Sequence, residues 1–360
     1  MVKKWVTIFE RYEDFHFDKD VGQLAYHAKV TLNYNVELWC KKGEHTLKKQ
    51  LFKIKELECG AKNTKVSFRV IWHITKNARK IDYLNIFHFR IYSLVYAFFY
   101  KVINPRGKVI LKCDGSERCY PYNDNKLKNR LLFYFLKKIK LINIFLAEHL
   151  SLVEYYKSKG LPALFCPNGT SPAYYSCKLP VKSNIVPTII FVGTCGDDRK
   201  NAKLAVEAVS KLKFDCRIFF LGGETELFNK WFKKWSIGKP HDVIQRYIFC
   251  GYVNDVSRII HYYDEAHVFL MTSVHEGYPL SLAQAAWRGC YPILSEGSGG
   301  GDMNIAGCAA IFHNEESLID ILDKSLSNLS ATIAKGKKSR LYALNNNDWR
   351  LIIRKIEELI

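Results

Sequence analysis

Residues 271–289, MTSVHEGYPLSLAQAAWRG, group the side chains most suited to binding and chemistry in this chain. An apolar stretch ends at Thr272, a loop presents Glu276 and Gly277, and a helix is expected from about Leu280 to Arg288. Free backbone N–H groups at such a helix start, at Leu280, Ser281 and Leu282 after Pro279, favour a phosphate or diphosphate. Proline suits that first turn. The simpler alternative is that Glu276 only caps the helix. Two more glycine-bearing loops are placed in the same way. VGTCGDDRKN, residues 192–201, brings Gly193, Arg199 and Lys200 to a helix start. SEGSGGGDMN, residues 295–304, has Gly299 and Gly300 within three consecutive glycines, which admit a ligand without Cβ interference. Three such loops at successive strand ends open onto one sheet edge, the place where α/β sheets bind ligands.

The elements that must position these loops alternate regularly in the second half. Strands are expected at TIIFVG, CRIFFLGG, YIFCGYV, AHVFLMTS and YPILS. Helices are expected at Asn201–Leu212, Glu226–Trp235, Val256–Tyr263, Leu280–Arg288 and Leu318–Leu326. Such alternation implies a parallel sheet covered on both faces, an α/β fold. The first half is less regular. VTIFERY, VELWC, SFRVIW, YLNIFHF and KVILKCD read as strands, with helices near Val21–Tyr34, in RIYSLVYAFFYKVINP and in KLKNRLLFYFLKKIK. The polar stretch KLPVKSN, Lys178–Asn184, marks a boundary, giving domains 1–184 and 185–335 and a terminal helix within 336–360.

The chain has 360 residues with ordinary globular composition, enough for two cores. Its net charge of +19 is unevenly spread: residues 1–184 hold 33 basic and 15 acidic side chains, residues 185–360 only 21 and 20. A basic half points to a polyanionic partner. The eleven cysteines are scattered without a CxxC pair, which indicates a reducing cytoplasm. The charged start lacks a signal-peptide run, and no apolar stretch reaches spanning length, so the expectation is a soluble or membrane-peripheral protein. Neither paired histidines nor an acidic DxD signature suggests a metal site.

In order and spacing, FVG…RKN…AVEAV, LGG, CGYV, HEGYPLSLAQAAWRG and SGGG resemble the donor domain of retaining family 4 glycosyltransferases, over about residues 189–325. That family has the GT-B fold: two Rossmann-like domains whose parallel sheets face a central cleft, with a C-terminal helix that can cross back to the first. CPNGTS, residues 166–171, and KDVGQLAYHA, residues 19–28 with Gly22, are similar to N-terminal stretches of the family. The resemblance implies that Glu276 opens an E-x7-E motif and holds donor-sugar hydroxyls. The second glutamate, which grips the ribose, is Gln284 here. An amide still bonds a diol but lacks the carboxylate charge. Lys200 matches the lysine that stabilises the leaving diphosphate. The family arginine after the first glycine is replaced by Thr194, with Arg199 a candidate substitute. Gly222, Gly223 and Tyr252 fall where the base packs.

His88 matches a histidine facing the donor sugar, although its setting in YLNIFHF equally suits a core histidine; Asp114 is a further candidate. The implied substrate is a nucleotide-diphosphate sugar, with no cofactor and no divalent metal expected. The implied acceptor is a glycan or polyprenyl-diphosphate-linked glycan, met by the basic half at an anionic membrane surface. Two other classes stay open: a GT-B epimerase acting on a nucleotide sugar, and a nucleic-acid binder, against which the absence of any recognisable module counts.

Overall fold

The computed structural model describes residues 2–41, 43, 51–57, 66–113, 127–175, 178, 180–182 and 186–360. The chain divides into two units, Met1–Asn168 with Trp349–Ile360, and Gly169–Asp348. In the first unit the elements run β1 (Lys4–Ile8), α1 (Asp20–Val30), β2 (Asn35–Lys41), β3 (Lys53–Leu57), α2 (Phe68–Asn77), β4 (Tyr83–Phe87), α3 (Ile91–Ile103), β5 (Lys108–Cys113), α4 (Leu127–Ile139), β6 (Ile144–Ala147), α5 (Leu150–Ser158) and β7 (Ala163–Phe165). The second unit follows with β8 (Thr188–Val192), α6 (Ala202–Ser210), β9 (Arg217–Leu221), α7 (Glu226–Ser236), α8 (His241–Ile244), β10 (Tyr247–Phe249), α9 (Val256–Glu265), β11 (Val268–Met271), α10 (Leu280–Trp287), β12 (Tyr291–Ser295), α11 (Gly301–Ile305), β13 (Ala310–Phe312), α12 (Glu315–Leu326) and α13 (Leu329–Asn346). Helix α14 (Trp349–Leu359) closes the chain.

Each unit holds one parallel sheet, in the orders β3-β2-β1-β4-β5-β6-β7 and β10-β9-β8-β11-β12-β13. Strands such as VFLM and the first four residues of YPILS are wholly buried, as a sheet covered on both faces requires. In the first unit α2, α3, α4 and α5 bury their apolar stripes on one face of the sheet, while α1 and α14 cover the other. Within the second sheet β8 lies between β9 and β11, so the chain reverses its direction of travel there. The loops after β8 and β11 therefore flank a topological switch point, where such sheets form their ligand crevice.

Several expectations need correction. SFRVIW is not a strand: Ser67 caps α2 by accepting a hydrogen bond from the Val70 N–H, and Val70 and Ile74 are buried one turn apart. His88 lies one residue beyond β4, in a left-handed conformation with φ +63°. The expected terminal helix is broken at Asn347 and Asp348 into α13 and α14. Only α14 joins the first unit, where Glu357 accepts hydrogen bonds from Tyr34 and Lys3. The division between units falls at 168/169 because the following segment is tied to the second unit. The Thr170 N–H donates to the Asn347 carbonyl at 2.9 Å, Trp287 Nε1 to the Tyr174 carbonyl at 3.1 Å, and the buried Lys182 ammonium to the Tyr263 and Ala266 carbonyls.

Candidate functional site

The three loops of the second unit are stitched together by backbone. After β8, the Lys200 and Asn201 N–H groups both turn back to the Asp197 carbonyl, and Asn201 adopts a left-handed conformation as α6 begins. The Val274 N–H donates to the Arg199 carbonyl at 2.8 Å, and the Thr272 hydroxyl bonds the Lys200 and Asn201 carbonyls at 2.9 Å. These bonds hold the loop after β8 against the loop after β11. The loop after β12 joins them through the Glu276 N–H, which donates to the Gly297 carbonyl at 2.9 Å. Gly299 has φ +82°, and a Cβ there would lie 2.3 Å from the Gly277 carbonyl oxygen, so only glycine fits this approach.

The consequence is a charge cluster built from residues far apart in sequence. Glu276 Oε1 meets Lys200 Nζ at 2.7 Å and Glu276 Oε2 meets Arg199 Nη1 at 3.0 Å. Asp197 steadies the arginine, taking a bond from the Arg199 N–H at 2.9 Å and facing Nη2 at 3.5 Å. Glu276 and Lys200 are mostly buried whereas Arg199 reaches solvent. Glu276 therefore does not cap α10: its carboxylate goes to the two cations, and Pro279 at the helix start provides no side-chain cap. Two cations around one carboxylate beside an uncapped helix start form a site suited to a dianionic phosphate group.

Gln284, one turn into α10, accepts a hydrogen bond from the Tyr263 hydroxyl at 3.3 Å. Complete burial pushes that phenol well above the ordinary tyrosine range, so Tyr263 acts as a neutral donor. Gly193 follows β8, and a Cβ there would press on the Lys200 stem at 3.0 Å. Gly222 at the end of β9 packs against Gly193, whose carbonyl oxygen would lie 2.3 Å from an added Cβ, while Gly223 faces open space. Tyr252 is exposed beyond β10. Gly277, Pro279, Leu280 and Ser281 lie at the α10 start, and Gly300 precedes the short helix α11.

The sequence-expected residues of the first unit are placed differently. Gly22 is buried inside α1, and an added Cβ would meet the Phe17 backbone at 2.3 Å, so it serves helix packing. The His88 backbone is fixed from both sides, its N–H donating to the Lys112 carbonyl at 2.8 Å and its carbonyl accepting from the Ser93 hydroxyl at 2.7 Å. A non-glycine residue held in this conformation stores strain of a kind that clusters at functional sites. Asp114 lies outside the described residues.

Sequence reasoning missed a buried cation in the first unit. Lys112, the penultimate residue of β5, has no solvent exposure and reaches Glu148 at 2.7 Å, Asp20 at 3.5 Å and the Cys166 carbonyl at 3.3 Å. Burial pulls its pKa down, but the Glu148 and Asp20 carboxylates outweigh this and hold it above the usual lysine value. A single lysine inside the apolar run KVILKC was the available signal. Among the described residues no group of His, Cys, Asp or Glu is arranged to hold a metal ion.

Residues 186–328 match the family model described as Glycosyl transferases group 1. No curated protein sequence matches the chain. Among solved structures, a glycosyltransferase from Rickettsia africae ESF-5 superposes with a TM-score of 0.75 at 15% identity, covering 99% of this chain and 97% of that one. The lipopolysaccharide outer core galactosyltransferase WaaB has a TM-score of 0.70 at 15% identity, covering 99% and 98%. Anabaena Alr3699/HepE in complex with UDP reaches 0.70 at 10% identity, covering 99% of each chain. At such identities the likeness speaks for the fold. The chain thus has the GT-B fold of glycosyltransferases, and residues 186–328 of its second unit match Glycosyl transferases group 1.

Proposed function

We propose that the chain transfers a sugar, with retention, from a nucleotide-diphosphate donor to a glycan or polyprenyl-diphosphate-linked glycan at the cytoplasmic face of an anionic membrane. The carrying observation is the Glu276 carboxylate bracketed by Lys200 and Arg199 at the switch point of the second sheet. Solved neighbours support the donor class, since the HepE structures contain UDP or UDP-glucose. WaaB and WaaG, both named for lipopolysaccharide synthesis, support the acceptor class.

In this reading Lys200 and Arg199 meet the diphosphate and stabilise the charge that develops on it as the bond from the sugar carbon to phosphate oxygen breaks. The acceptor oxygen forms its new bond to the same face of that carbon, and its proton passes to the departing diphosphate. Glu276 takes hydrogen bonds from donor-sugar hydroxyls and Gln284 from the ribose diol.

A panel of uridine and guanosine diphosphate sugars tests this. A matching donor at about 100 times its dissociation constant adds about 2.7 kcal/mol of stability, read as a thermal shift. Labelled sugar should then appear in a lipid-extractable or glycan product. Conversion of a donor to its epimer with no transfer from any donor would overturn the proposal.

A further inference from the structure

The three helices α2, α3 and α4 present an outer surface unlike the rest of the first unit. Each buries one stripe: Val70 and Ile74 in α2, Tyr96 and Tyr100 in α3, Phe133 and Leu136 in α4. The opposite stripes are also apolar. Phe68 is 84% exposed and Trp72, four residues on, is 55% exposed. Ile91, Phe98 and Val102 repeat this on α3, and Leu131, Tyr134, Phe135 and Ile139 on α4. All nine stand on helices that pack on the same face of one sheet.

An apolar outer face is ordinarily offset by charges of both signs, but here only one sign is present. Residues 68–106 and 127–140 hold twelve Lys or Arg and one acidic residue, Asp82. Asp82 is not on these helices and accepts a hydrogen bond from the Lys4 N–H at 2.7 Å. The cations are interleaved with the rings: Lys76 Nζ sits 4.8 Å from the Trp72 ring centroid and Lys138 Nζ 5.8 Å from that of Tyr134. The helices on the opposite sheet face carry both signs, with Asp20 and Lys29 on α1 and Arg350, Arg354, Lys355, Glu357 and Glu358 on α14.

We propose that the outer layer formed by α2, α3 and α4 is the surface on which this protein seats itself on an anionic lipid bilayer. This rests on the membrane reading above and assigns it to specific helices. Aromatic and aliphatic side chains enter the headgroup boundary while flanking lysines and arginines meet lipid phosphates. Charge decides between this occupant and a second copy of the chain. Two such layers face to face would oppose cation to cation, whereas an anionic surface complements every one of them. The aromatic content also exceeds what a purely electrostatic partner would use, since rings of this kind favour a membrane interface.

The test is sedimentation of the full chain with vesicles of phosphatidylglycerol and phosphatidylcholine, against phosphatidylcholine alone. The chain should pellet with the anionic vesicles, be released by salt, and stay in solution with the neutral ones. Lys137→Gln with Lys138→Gln should weaken partitioning about 25-fold, at about fivefold per cation removed. Trp72→Ser with Phe98→Ser and Phe135→Ser should abolish it, and Leu351→Ser on α14 should not. Equal partitioning of all variants would overturn the assignment. So would a dimer in solution that the triple variant converts to a monomer, which would make a second copy the occupant. Nucleoside diphosphate binding, measured on the same variants, keeps the donor-site reading separate: it should be unchanged whether or not the vesicles bind.

Discussion

Replacing Glu276 by glutamine should move ligand binding and turnover in opposite directions. In the ligand-free chain the carboxylate already holds the two cations that a diphosphate needs, at 2.7 Å and 3.0 Å. A diphosphate must therefore displace the carboxylate or share the cations with it. Unit charges about 4 Å apart interact by about 4 kcal/mol at an effective dielectric of about 20. Lys200 and Glu276 are only 16% and 10% exposed, so a sizeable part of that attraction survives. Arg199 is 44% exposed and its share is screened to at most about 1 kcal/mol. The incoming phosphates regain most of what the carboxylate gives up, leaving a net competition of about 1–2 kcal/mol. Without it, free uridine or guanosine diphosphate should bind roughly five- to thirtyfold tighter. Transfer should fall about a hundredfold, because two charge-assisted hydrogen bonds to sugar hydroxyls become neutral ones. Titration calorimetry with the free diphosphate and initial rates with the whole donor read the two effects. A folded Glu276→Gln protein whose diphosphate affinity is unchanged or weaker would refute the competition argument.

Gln284→Glu should retain transfer or raise it about fivefold, since a carboxylate gains about 1 kcal/mol over an amide with a diol and still accepts from Tyr263; a collapse in rate would show that the amide is tuned to this donor. Lys112→Met should cost about 3–5 kcal/mol in chemical denaturation, because Glu148 and Asp20 lose their buried counter-ion. The native pKa of Lys112 lies above its unfolded value of about 10.4, so its stabilisation is fully present below that pH and is lost only as pH rises through the native value. Wild-type and Lys112→Met stabilities should therefore stay parallel from about pH 7 to pH 10. Gly299→Ala should cost about 1–3 kcal/mol and slow transfer, since the new Cβ, 2.3 Å from the Gly277 oxygen, must push the Glu276 loop aside; unchanged rates would show that the loop tolerates the shift.

The site of the second unit was legible because its information is local. Buried strands read as apolar runs, the loops that follow them carry glycines and charges, and sheet topology brings consecutive strand ends together. Glu276, Lys200 and Arg199 could thus be named from two separate loops before any distance between them was known. The direct ion pairing of Glu276 to both cations could not, because it depends on Val274 and Thr272 bonding the loop after β8. Lys112 was illegible for a similar reason: its partners come from α1 and from the residue after β6, and nothing in KVILKC announces them. The misreading of SFRVIW is more instructive. Phe68, Val70 and Trp72 alternate as in a strand, but only Val70 belongs to the core. The other two are apolar on the exposed side of a helix.

That misreading and the charge asymmetry have one physical origin. Sequence patterns assume that an exposed face is polar, and a helix with apolar residues on both sides defeats the assumption. In the second unit the two site cations are paired with Glu276 and Asp197, and residues 185–360 are almost neutral. In the first unit the excess is not balanced across its described ion pairs but concentrated on α2, α3, α4 and the turns that flank them, alongside the exposed rings. Self-repulsion among these cations opposes the compact state, and exposed Trp and Phe side chains forgo the gain of burial. Both costs fall on the same three helices, and both are relieved by the same environment, an anionic surface with an apolar interior. A nucleic acid would relieve the first cost and leave much of the second, since nine apolar side chains on successive helical turns offer more hydrocarbon than base stacking uses.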